Sequence, residues 1–187
     1  MEQDLNSNIM GKEQVTTTKQ VIIKFAIIYG LAMIVLALVT YILDLGEKNI
    51  FVSAISMLTS IGILYFGFKT RKNEIESGFL TYGQGVATGV GIVALAALFI
   101  TLYTYIFHQF IDPDYINRVI EQSRVEMIEK GVPDETIEAS MKFTENFKNP
   151  LFSAFTTFFG TLFMGTIFSL IVAIFTKNNK SNGDLHA

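Results

Sequence analysis

Residues 151–176 read LFSAFTTFFGTLFMGTIFSLIVAIFT, 26 residues with no Asp, Glu, Lys, Arg or His. A bilayer core of ~30 Å is crossed by ~20 helical residues. In hydrocarbon, only helices and closed barrels satisfy their own backbone. A run this long, without the alternation of a strand, reads as a membrane-spanning helix. Three more uncharged runs lie upstream: Phe25–Leu43, Ile50–Phe68 and Phe79–Phe107. Burying four such helices in a soluble core would need far more polar chain than 187 residues provide. The expected fold class is therefore all-α, an integral membrane bundle of four transmembrane helices, with spans at about 21–43, 50–68, 79–107 and 151–176. Tails 1–20 and 178–187 flank the membrane domain 21–177.

Composition agrees. Half of the residues are hydrophobic and 17% are charged, against about 25% in a soluble domain. A net charge of −3 does not suit a nucleic-acid binder. With no cysteine, disulfides, thiolate metal sites and cysteine nucleophiles are excluded. About twenty polar residues precede the first apolar run, so it reads as a retained anchor rather than a cleaved signal.

The connections differ. Asp44–Asn49 is short enough to pair the first two helices tightly. Lys69–Gly78 is a basic link. His108–Pro150 is long and polar, and must stand outside the bilayer. Lys69, Arg71, Lys72 and Lys177 abut helix ends on the side shared by both termini, which the positive-inside rule assigns to the cytoplasm. The insert 112–149 is then extracytoplasmic. Within it, Asp112-Pro113 reads as an N-cap and first helical residue, and Gly131 as a helix stop. Val132-Pro133-Asp134-Glu135 opens a second helix. The apolar positions Ile116, Val119, Ile120 and Met127, then Ile137 and Met141, make an amphipathic helical hairpin. Its apolar faces either pair with each other or offer a docking surface.

In lipid, close packing rather than water holds helices together, and small residues four apart let backbones approach. Gly85 and Gly89 lie on such a row, broken by Val93. Ser153, Thr157, Thr161, Gly165 and Ser169 form another. Gly85, Gly89, Thr157, Thr161, Gly165 and Ser169 are the expected helix-packing residues.

Chemistry is sparse. Ion-coupled carriers place ionisable side chains at mid-membrane, and none lies within the four runs. His108, Asp112 and Asp114 cluster at the outer end of the third helix. Three such groups can form a metal site, but a capping aspartate and an interfacial histidine account for them more simply. No catalytic, cofactor or metal residue is expected.

The segments Thr81-Tyr82-Gly83-Gln84-Gly85, Tyr103-Thr104-Tyr105-Ile106-Phe107 and Ile111-Asp112-Pro113-Asp114 resemble the Bacteroidota membrane family called domain of unknown function 4199. So does the order of two spans, a basic link, two spans and a polar insert. The resemblance covers roughly Lys19 to Lys177. It implies a bacterial inner-membrane location and no particular activity. The function expected from the residues is non-enzymatic, through a protein partner at the insert. A small oligomeric transporter or channel is the alternative, and a membrane enzyme using His108 ranks last.

Overall fold

The computed structural model describes residues 17–45 and 49–178. Helix α1 spans Thr18–Ile42, α2 Ile50–Glu74 and α3 Tyr82–Ile106. A π-helical turn, Phe107–Ile111, extends α3. The insert holds α4, Tyr115–Glu129, and α5, Asp134–Thr144, followed by a 3-10 turn at Glu145–Lys148. Helix α6, Pro150–Thr176, closes the chain. Four of these helices are long and apolar enough to cross a membrane. The protein is thus a multi-pass, all-α membrane bundle.

Helix starts follow from local chemistry. Thr17 and Gln20 form a reciprocal capping box on α1, and Thr81 and Gln84 form another on α3. Each satisfies two backbone N–H groups that a helix start otherwise leaves orphaned. Asn49 and Asn149 cap α2 and α6, accepting from Phe51 and Leu151 N–H at 2.9 Å each. Helix α2 continues past the expected end at Phe68, so Lys69, Arg71 and Lys72 ride on its last turns rather than in a link.

Helices α3 and α6 pack antiparallel with their small residues facing each other. A Cβ added at Gly165 would lie 2.3 Å from a Val93 methyl, and one at Gly89 would lie 2.4 Å from Ser169 Oγ. At Gly85 the neighbour is Ala173 Cβ, at 3.2 Å. Val93, the residue that interrupts the α3 row, is the knob that fills the Gly165 gap. The same register carries Thr161 and Thr157 toward the far end of α6, where both are half-buried.

The core is lopsided. In α1 the buried residues are Val21, Phe25, Ala26, Tyr29 and Gly30, all in the half nearer the termini. In α2 they are Ser60 near the middle, then Leu64, Gly67 and Phe68 in that same half. The same end is fastened by polar contacts. Asn178 and Leu80 exchange backbone hydrogen bonds of 3.0 and 2.8 Å. The Arg71 guanidinium donates to Gln84 C=O at 3.0 Å and to Thr88 Oγ1 at 2.6 Å, and pairs with Glu76 at 3.0 Å. Its side chain is 11% exposed, so Arg71 is an internal tie between α2 and α3 as well as a charge beside the membrane. Toward the insert, α1 and α2 share a hydrogen bond from Tyr29 Oη to Ser60 Oγ, 3.0 Å. Beyond it, the tight pairing expected from their short turn gives way to a cavity that both helices line.

Candidate functional site

The cavity lies at the insert end of the bundle and has a volume of about 570 Å³. It is built by α1, α2, α3 with its π-turn, and α4, and Thr157 of α6 reaches its wall. Met33, Leu36 and Ala37 of α1 and Val52 of α2 form an apolar floor. Thr40 and Ser56 also line it, but each hydroxyl donates to its own helix, to Leu36 and Val52 C=O at 2.8 Å. Those residues therefore add little unmet polarity. The rim is polar and aromatic: Tyr41, Asp44, His108, Tyr115, Arg118 and Gln122.

The π-helical turn shapes this rim. Its wider winding ends with the Asp112 N–H donating to Phe107 C=O at 2.9 Å, five residues back. Turns of this kind recur at functional sites. Phe107 is buried among aromatic neighbours, edge-on to Tyr41 at 4.9 Å and to Tyr115 at 5.4 Å. His108 stacks on Tyr115 with ring centroids 5.7 Å apart, and its Nδ1 lies 3.2 Å from Ser153 Oγ.

Asp112 is the centre of the arrangement. It does not cap α4, the role its sequence context suggested. The helix starts at Tyr115 behind Asp114, and no side chain caps it. The Asp112 carboxylate instead receives Arg118 through both oxygens, and Tyr41 Oη donates to Oδ2 at 2.9 Å. One carboxylate thus joins the end of α1, the π-turn and the first turn of α4. The Arg118 hydrogen bonds are the main cause holding the Asp112 carboxyl below its ordinary range, with Tyr41 adding to them against the opposing effect of burial. The same hydrogen bonds raise the Arg118 guanidinium.

The His108, Asp112 and Asp114 cluster weighed from sequence is not brought together as a ligand set. Asp112 is committed to Arg118 and Tyr41, Asp114 lies 3.4 Å from the Asn117 amide, and His108 faces Ser153. Among the described residues no group of three metal-ligating side chains forms. Of the expected packing residues, Gly85, Gly89, Gly165 and Ser169 lie in the α3–α6 contact, and Thr157 reaches the cavity wall. Tyr41 and Arg118 were not legible as site residues. Tyr41 meets Asp112 across 71 positions of sequence, and no local pattern announces such a contact.

No curated protein and no solved structure matches the chain. One family does, described as a protein of unknown function (DUF4199), over residues 24–178. Since that stretch takes in most of α1, the other three spanning helices and the whole insert, the chain belongs to the DUF4199 family.

Proposed function

We propose that this is a non-enzymatic protein of the bacterial inner membrane, with both termini in the cytoplasm, acting through a protein partner that docks on its extracytoplasmic insert. The observation that carries the reading is how the insert is held. The Asp112 carboxylate fastens α4 to α1, so the insert is tied to the bundle rather than tethered loosely. Its buried apolar residues, Ile120 and Ile137, are used internally, while Val125, Ile128 and Phe143 remain 45–62% exposed. Exposed apolar residues on an otherwise charged, anchored element suit protein contact.

The test is site-specific photocrosslinking in native membranes from Val125, Ile128 and Phe143. The expected result is a discrete adduct with one other protein, absent when the crosslinker sits at lipid-facing Val35. Adducts confined to lipid would overturn the reading.

A second reading, a small oligomeric transporter or channel, is favoured by one observation. The cavity faces the insert end while the opposite end is packed shut by the core. A pathway through so small a bundle needs several copies. A strictly monomeric mass in mild detergent argues against it.

A further inference from the structure

We propose that the cavity at the insert end is a binding site for the ammonium headgroup and one acyl chain of a bilayer phospholipid, that chain lying along α1. This goes beyond the partner-docking reading and does not rest on it.

Depth is the first support. Met33 to Tyr41 covers about 12 Å along the α1 axis at ~1.5 Å per residue. One leaflet of a ~30 Å hydrocarbon core is about 15 Å deep. Since Met33 lies near the middle of the 25-residue α1, the cavity runs from headgroup level almost to the bilayer midplane. The volume of about 570 Å³ falls within the ~300–1,000 Å³ of known ligand sites.

Polarity is the second. The floor is Met33, Leu36, Ala37 and Val52, and the nearby hydroxyls of Thr40 and Ser56 are turned to their own helix carbonyls. Water gains little along this floor, whereas an alkyl chain buries apolar surface against Met33, Leu36, Ala37 and Val52. The outer half of α2 offers no alternative filling, since none of its residues before Ser60 is buried. Above the floor the walls become hydrogen-bonding at the level where a headgroup would lie.

Charge is the third, and it selects the headgroup. Among the described residues the rim holds one guanidinium, Arg118, and one carboxylate, Asp44, while Asp112 lies behind the rim on Arg118. Both oxygens of Asp112 already face Arg118, so that cation is largely spent. The remaining bias is negative. It favours a ligand that brings its own ammonium group and disfavours a purely anionic lipid.

The test uses the purified full-length protein, stripped of lipid in detergent and read by native mass spectrometry. Phosphatidylethanolamine and phosphatidylglycerol are added separately. The expected result is a single retained phosphatidylethanolamine, held at least tenfold more strongly than phosphatidylglycerol. Ala37→Phe, which fills the floor from α1, should lower that affinity tenfold or more. Ser56→Phe, filling it from α2, should do the same, so misfolding of one variant does not remove the test. Val35→Phe, on the exposed side of α1 away from the cavity, should leave binding unchanged. Asp44→Asn should narrow the preference between the two lipids. Affinity unaltered in both filling variants, or tighter retention of phosphatidylglycerol by the wild type, overturns the proposal. Either result leaves the crosslinking test of the partner reading untouched.

Discussion

At the scale of single residues, Gly165 and Val93 show how a membrane bundle is specified without water. A Cβ at Gly165 would lie within 2.3 Å of a Val93 methyl, while one at Gly160, on the same helix, would meet nothing within 4 Å. Gly165→Ala should therefore destabilise by about 1–3 kcal/mol, the usual range for overpacking a fitted contact. Gly160→Ala should be neutral or slightly stabilising, since alanine is the better helix former by roughly 1 kcal/mol. Trimming the knob with Val93→Ala should relieve most of the Gly165→Ala penalty. Thermal unfolding in detergent of the two single variants and the double variant gives the coupling energy, expected at roughly 0.5–3 kcal/mol for residues in contact. Additive losses would mean that the two side chains do not share the gap. Small residues at four-residue spacing are visible in sequence. Which knob enters which gap is not, because the register of two helices 72 positions apart is set only when both are in place.

At the scale of elements, the join between α3 and the insert is where sequence and structure part. The four spans are legible because a charge-free run of this length has one stable form in lipid. Helix ends are less so. Thr17 to Gln20 and Thr81 to Gln84 carry the capping-box signature in plain view. The Asp112-Pro113 pair carries an equally good capping signature, and there the local rule loses. A carboxylate within reach of Arg118 gains a bidentate contact in which both partners are charged, which a cap to backbone N–H groups does not supply. This join has a defined pH response. Because Asp112 is held below its ordinary value of 3.8, its ionised form is favoured in the folded state. The stabilisation is fully present above that ordinary value and fades only as pH falls through the depressed one. The chain has no cysteine, so Val39→Cys and Glu121→Cys provide a unique pair of spin-label sites on α1 and α4. Their separation should stay constant from neutral pH down to about pH 4 and lengthen only in stronger acid. With Asp112→Asn it should be lengthened or broadened throughout. A transition well above the carboxylate range would show that Asp112 does not control the join.

At the scale of the whole molecule, the bundle has one closed end and one open end, and the charges sort with them. The closed end carries Lys69, Lys72 and Lys177 close to helix termini, with Arg71 tying α2 to α3. The open end carries the insert, acidic and joined through Asp112. Basic residues near span ends fix orientation during insertion, whereas acidic residues contribute little. Reporter fusions after Lys72 and after Lys177 should therefore report a cytoplasmic location, and fusions within 122–130 an extracytoplasmic one. Reversed labelling would place the cavity and the insert on the inner leaflet and remove the inner-membrane docking reading as stated. A deletion of 116–147, bridged by a polar linker, separates the two halves of the molecule. It removes Arg118 and the exposed residues Val125, Ile128 and Phe143, but leaves every apolar run and the flanking basic residues intact. The four spans should still insert with the same reporter pattern, because insertion reads only apolar length and nearby Lys and Arg. Co-purification from native membranes should then lose the partner that the full-length chain retains. If the same proteins still co-purify, the recognition surface lies on the spans themselves, and the insert serves the cavity rather than a partner.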